Sequence, residues 1–322
     1  MNADRRGLPG RRQVLRTLAA AAGSGWAALA WSAPEAPPRV LDFEWTDAAR
    51  QRSVPARLYL PERQKGPLVV FSHGIGGSRL GYSYIGRHLA AHGVASLHLQ
   101  HVGSDRSLWG GNVLQTFERM RRAISSEEAV ARARDLSFGL DRFTQEGLPF
   151  EVSTTVAAGH SYGANTSLLV AGARVGGAVQ LPSLLDSRVR GAVLLSTPPF
   201  YGVPDLAGTV SPIGLPSLHI TTNEDVIKIP GYESPASDRV AVFEVIGSRP
   251  KALAVFSHGS HSIFTDRITS ADGPELNATV KQATRELVLA FVQGVEAHQL
   301  APSLQLAARP HQAALARFVV QA

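Results

Sequence analysis

Six short apolar runs, at 68–71, 94–99, 154–158, 192–195, 217–221 and 252–256, recur along the chain, most of them separated by helix-length segments. Runs this short and largely apolar fit strands buried on both faces. Their alternation with helical stretches predicts a mostly parallel sheet covered by helices on both sides. Two earlier stretches, 40–45 and 54–60, instead alternate apolar and polar residues, as half-buried strands do, and predict an N-terminal antiparallel pair. Between two of the runs lies a long segment, 103–147. Within it Val130, Ala133, Leu136, Leu140 and Phe143 repeat at the helical period over 127–143, so a lid or a cleft-flanking helix is expected. A shorter periodic stretch, 313–320, predicts a packing helix of little functional meaning in a C-terminal tail, 301–322. A single domain over 40–300 follows.

Composition agrees with a packed globular chain: 44% of the 322 residues are apolar and 18% charged. The net charge of +6 raises the question of a nucleic-acid partner. Most of that charge is local, with five arginines and one aspartate in the first thirty residues. The remaining arginines are scattered through helical patterns and read as solvated surface, so no nucleic-acid partner is expected. The absence of cysteine excludes disulfides, thiolate metal sites and a cysteine nucleophile. No cofactor and no metal are implied.

The N-terminal charge has its own reading. Arg11 and Arg12 precede a mildly apolar run, 17–30, ending in Ala28-Leu29-Ala30, and this resembles a twin-arginine export signal. Gly23, Ser24 and Gly25 interrupt the run, which falls short of the roughly 20 residues a spanning helix needs. Residues 1–33 are therefore expected to direct export to the periplasm or beyond, with cleavage after Ala30 or Ser32. A proline-rich linker, 34–39, follows, and no stable membrane anchor is expected after cleavage.

Ligand chemistry in a parallel sheet gathers beyond the carboxyl ends of the strands. The run 154–158 leads directly into Gly159-His160-Ser161-Tyr162-Gly163, and 164–171 then reads as a helix. Strand, tight turn and helix are what a nucleophile elbow requires. The pentapeptide alone is short enough to arise by chance, and its context decides. A serine hydroxyl needs a base to activate it, and the base needs a group to orient it. Downstream, 217–221 is followed by Asn223-Glu224-Asp225, and 252–256 by Ser257-His258-Gly259-Ser260-His261. Asp225 is expected as the acid, with Glu224 as its alternative, and His261 as the base, with His258 as its alternative. Donors to a developing oxyanion are expected from the Tyr162 amide and from the loop Ser72-His73-Gly74-Ile75-Gly76-Gly77, with Ile75 as the second donor. That loop has neither the dinucleotide-binding nor the P-loop spacing, which argues against a phosphate cradle.

Taken in order, 71–78, 88–93, 101–105, the Ser161 elbow and 259–264 resemble the dienelactone-hydrolase-related branch of the α/β-hydrolases, beside lipase/cutinase-like and platelet-activating-factor acetylhydrolase-like serine esterases. The resemblance spans about residues 68–264. It implies an α/β-hydrolase fold, a Ser161–Asp225–His261 triad and an Ile75/Tyr162 oxyanion hole. It also implies structural roles for His101 and Asp105. Dienelactone hydrolases themselves use a cysteine nucleophile, which this chain lacks, so the serine branch is implied. The acid loop lacks the glycine that often precedes the acidic pair in relatives. Hydrolysis of a small-molecule or polymeric carboxylic ester is the leading expectation. Thioester, lactone or peptide cleavage on the same triad, and a catalytically silent binding protein, are the alternatives. Trp109, Phe200 and Tyr201 are candidates for lining an acyl pocket.

Overall fold

The structure is a computed structural model that describes residues 38–177, 180–229, 232–267 and 269–322. The expected export signal, and the linker up to residue 37, lie outside the described residues. Eleven strands are described: β1 (Arg39–Asp47), β2 (Arg52–Leu60), β3 (Lys65–Ser72), β4 (Ala95–Leu99), β5 (Glu151–His160), β6 (Val189–Leu195), β7 (Ser217–Thr222), β8 (Ile227–Ile229), β9 (Tyr232–Ser234), β10 (Lys251–Phe256) and β11 (Leu315–Gln321). The helices are α1 (Ser83–Ala90), α2 (Val113–Ala123), α3 (Ser126–Gln145), α4 (Tyr162–Val170), α5 (Leu206–Val210), α6 (Ser237–Val245), α7 (Pro274–Glu296) and α8 (Leu300–Ala308). Among the described residues no helix is long and apolar enough to cross a membrane.

Nine strands form one sheet in the order β1-β2-β4-β3-β5-β6-β7-β10-β11, and β8 and β9 pair separately. The six from β4 to β10 run parallel, while β1, β2 and β11 add antiparallel edges. This is the architecture of the α/β-hydrolase fold. Each apolar run serves both faces, because successive side chains in a strand point in opposite directions. Leu68 and Val70 of β3 join one core with Leu136 and Leu140 of α3 and Leu168 of α4. Val69 and Phe71, one residue out of phase, join a second core with Ile85 of α1 and Leu287 and Phe291 of α7.

The chain leaves β3 toward one edge of the sheet, through α1 to β4, and leaves β5 toward the other, through α4 to β6. Since β3 and β5 are neighbours, this order opens a crevice beyond their carboxyl ends, where an α/β sheet binds its ligands.

The expected packing helix at 313–320 is instead a strand. Residues 309–314 form a 3-10 turn, and β11 pairs antiparallel with β10, so the sheet extends past 300 and the tail belongs to the domain. The helical appearance has a definite cause. A bulge opposite Val255/Phe256 inserts Ala316 into the ladder and puts Leu315 on the same face as Phe318 and Val320. All three pack on the second core, and the three-residue spacing of the first two imitates a helix. Removing residues 315–322 should therefore strip the β10 edge and cost about 3 kcal/mol of stability. A truncated protein with an unchanged denaturant midpoint would contradict this.

Five of the buried histidines, His73, His98, His101, His160 and His219, share one electrostatic consequence. Burial lowers their pKa, to about 4 for His98, to about 3 for His160 and His219, and well below the ordinary value for His73 and His101. In the unfolded chain they titrate near 6.5. Below that pH the unfolded state takes up protons that the native state refuses, so stability falls as the pH drops from about 6.5 toward about 4. The slope approaches about 1.4 kcal/mol per pH unit for each such histidine. Chemical denaturation at about pH 7.5 and about pH 5 should show a markedly lower midpoint in acid.

Candidate active site

Ser161 sits between β5 and α4 with φ 54° and ψ −120°, a backbone conformation that a side chain normally opposes. The turn closes because its flanks lack side chains. A Cβ on Gly159 would lie 2.2 Å from the Gly163 carbonyl, and a Cβ on Gly163 would lie 1.9 Å from the Ser72 carbonyl oxygen. The Ser161 amide donates to the Leu195 carbonyl at 2.9 Å, tying the elbow to β6.

Asp225 follows β7, and His261 opens a 3-10 turn after β10. The structure brings both to Ser161. His261 Nε2 lies 2.9 Å from Ser161 Oγ, and His261 Nδ1 lies 2.7 Å from Asp225 Oδ1. A carboxylate only accepts, so Nδ1 carries the proton, and Nε2 is left to accept from the serine hydroxyl. Asp225 Oδ2 also accepts from Ser196 Oγ at 2.5 Å and Thr221 Oγ1 at 2.7 Å. Arg239 Nε stands 3.5 Å from Oδ1, and both side chains are buried. Burial pushes the Asp225 carboxyl up, but the His261 hydrogen bond, with the nearby charges of His261 and Arg239, outweighs it and holds the group below the usual carboxylate range.

The two alternatives fall outside this cluster. Glu224 accepts from His258 Nδ1 at 2.8 Å and from the Gly259 amide at 3.0 Å, and both side chains are largely exposed. Glu224 thereby braces the loop that carries His261 without touching it. On the far side of that loop, Asp272 accepts from the Ser260 amide at 2.6 Å and from Ser260 Oγ at 2.8 Å.

In the loop after β3, the Gly76 amide donates to the Ser104 carbonyl and the Gly77 amide to that of Gly74, while the Gly74 amide donates to the Tyr82 hydroxyl. The amides of Ile75 and Tyr162 have no acceptor among the described residues. Ile75, Tyr162 and Ser161 line one cleft, about 810 Å³ counted to its open mouth. Its walls are mostly apolar: Ile124 and Ala129 from the 103–147 segment, then Val175, Leu181, Phe200 and Val203. Ser125 and Ser126 of that segment line the cleft as well. Phe200 and Tyr201 line the cleft. Trp109 lies against the loop instead, donating from Nε1 to the Gly76 carbonyl at 3.1 Å. His101 is buried between Asp135 and Ser72 Oγ, and Asp105 caps the 3-10 turn at Arg106–Trp109.

The surface reading of the arginines fails at two positions. Arg132 and Arg239 are among the largest fully buried side chains. Both occupy the apolar stripe of a helix, Arg132 beside Ala133 and Leu136 in α3 and Arg239 near Val242 and Phe243 in α6. A charge on that stripe is the sequence signal that marks them. His160 and Tyr82 form a further unforeseen link. His160 Nε2 donates to the His261 carbonyl at 3.0 Å, and Nδ1 accepts from the Tyr82 hydroxyl at 2.9 Å.

Residues 47–119 match the family model described as platelet-activating factor acetylhydrolase, isoform II. That span holds the loop of Ile75 but ends before Ser161. Among solved structures, the ferulic acid esterase from Streptomyces cinnamoneus is similar, with 21% identity and a TM-score of 0.64 over 89% of this chain and 99% of that one. The comparison with curated proteins finds no match. The mostly parallel sheet, with the Ser161 elbow at its switch point, and the likeness to that structure show that the chain has the α/β-hydrolase fold.

Proposed function

We propose that the protein hydrolyses carboxylic esters through an acyl-serine intermediate, with Ser161 as nucleophile, His261 as base and Asp225 as the acid that orients it. The observation that carries this reading is the unbroken hydrogen-bonded line from Asp225 Oδ1 through His261 to Ser161 Oγ, opening into an apolar cleft. As Ser161 Oγ attacks the ester carbonyl, its proton passes to His261 Nε2, and the imidazolium is stabilised by the ionised Asp225. The carbonyl oxygen becomes an oxyanion that the Ile75 and Tyr162 amides receive. His261 then returns the proton to the departing alkoxide. Water, deprotonated by the same nitrogen, attacks the acyl-enzyme and releases the acid. The names acetylhydrolase and esterase borne by the similar proteins support the same chemistry. The apolar walls suit an uncharged aliphatic or aromatic acyl group.

A fluorophosphonate probe should label the wild type and leave Ser161→Ala unlabelled; a wild type that fails to label sinks the proposal. Asp225→Ala and His261→Ala should each lower kcat for p-nitrophenyl acyl esters by roughly 10³-fold or more. Glu224→Ala and His258→Ala, which lose only a brace, should stay within about 10-fold of wild type.

Export belongs to the same proposal, supported by Arg11 and Arg12 ahead of a weakly apolar run. Replacing both by lysine should retain the protein in the cytoplasmic fraction, and unchanged export of that variant would refute a twin-arginine route.

A further inference from the structure

The buried Arg132 has no part in the proton transfers above, yet its surroundings are unusual. Its guanidinium carbon lies 4.5 Å above the Tyr162 ring, and among the described residues no carboxylate pairs with it. Instead it spends its donors on neutral groups. Nε donates to Thr166 Oγ1 at 3.0 Å, Nη1 to Ser104 Oγ at 2.8 Å, and Nη2 to the His73 carbonyl. Removing a guanidinium from water without a contacting counter-ion is costly, and hydrophobic side chains of similar volume would fill the same space at no such cost. The nearest relief is indirect: Ser104 Oγ donates to Glu128 Oε1 at 2.8 Å.

The partners of Arg132 belong to the two halves of the candidate oxyanion hole. His73 stands two residues before Ile75. Ser104, through its carbonyl, accepts the Gly76 amide at 2.8 Å, one residue after Ile75. On the other side, Thr166 Oγ1 donates to the Tyr162 carbonyl at 3.2 Å, and the Tyr162 ring lies under the guanidinium. A planar fork of fixed geometry therefore spans the loop on both sides of one amide donor and the helix turn that carries the other. We infer that Arg132 is a positioning residue for the oxyanion hole: it holds the Ile75 and Tyr162 amides at the separation a tetrahedral intermediate requires and places a fixed positive charge behind them. This rests on the ester-hydrolase reading of the site. The effect belongs to the transition state, because both amides must converge on one oxygen only once that oxygen carries charge.

The test pairs kinetics on a p-nitrophenyl acyl ester with inhibition by the trifluoromethyl ketone of the same acyl chain. That ketone adds to Ser161 as a hemiketal whose anionic oxygen occupies the hole. Arg132→Gln should lower kcat roughly 10-fold or more at nearly constant KM and weaken the ketone by a comparable factor. Arg132→Lys, which keeps the charge and loses the fork, should recover part of both. Thr166→Val and Ser104→Ala each remove one anchor of the guanidinium, and should give smaller parallel losses. These two decide the matter if the Arg132 variants fail to fold. A folded Arg132→Gln with unchanged kcat and ketone affinity overturns the inference, as does a loss confined to KM. Wild-type levels of both quantities in the two anchor variants also overturn it. A wild type that neither hydrolyses the ester nor binds the ketone overturns the ester-hydrolase reading itself, and that result appears before any substitution is made.

Discussion

Helix α4 approaches the end of β3 so closely that a single Cβ on Gly163 would sit 1.9 Å from the Ser72 carbonyl oxygen. Much of the site depends on that approach. Ser72 pairs with Gly159 in the parallel ladder, so the loop from β3 and the elbow from β5 leave the sheet side by side. The missing side chains at Gly159 and Gly163 then allow the helix to start within one residue of the strand. Ser161 bears the consequence as a positive φ, a strain of about 1–3 kcal/mol. The elbow is held by its bond to Leu195 and by the start of α4, where the Ala164 amide donates to the Ser161 carbonyl at 2.9 Å. An open hydroxyl and two amides without acceptors result from the same geometry.

Charge is distributed around this turn with little waste. Asp225 is buried yet kept ionised, because every lone pair in use faces a donor and Arg239 stands behind it. Arg239 Nε makes no hydrogen bond among the described residues, so its effect on Asp225 is Coulombic and independent of precise alignment. Glu224, one residue earlier, is exposed and pairs with His258, which separates the two adjacent carboxylates into an orienting group and a loop brace. Sequence order alone leaves that choice open. The structure buries Asp225 and leaves Glu224 exposed.

The short apolar runs were legible as strands because burial on both faces leaves them without charged residues and with few polar ones, and the candidate site residues lie just past their ends. The elbow, the Gly-rich loop and the Asp225 and His261 loops are all local signals of this kind. What was illegible is long-range. Arg132 reaches His73, Ser104 and Thr166, which are separated from it by 59, 28 and 34 positions. Asp135, three residues on, gathers Arg50, Arg52 and His101 from other elements. No spacing rule links such partners. Arginine in a helical pattern is ordinarily solvent-facing, and only its phase relative to Ala133 and Leu136 betrays the burial. The β11 error has the opposite origin: a bulge made a strand carry a helical interval, and a local rule was applied where the ladder decides.

His160 of the Gly159-His160-Ser161-Tyr162-Gly163 elbow illustrates how such partners unify the site. The chain of donors runs from the Gly74 amide to the Tyr82 hydroxyl, from that hydroxyl to His160 Nδ1, and from His160 Nε2 to the His261 carbonyl. It works in one tautomer only, neutral and protonated at Nε2, since the His261 carbonyl can only accept and a bare Nε2 would confront its lone pairs. Burial, which pulls the His160 pKa down to about 3, keeps the ring in that neutral form near neutral pH. Two imidazoles whose centres are 4.8 Å apart thus have separate tasks. One faces the Ser161 hydroxyl, and the other, unable to ionise beside it, holds its backbone and adds no competing charge.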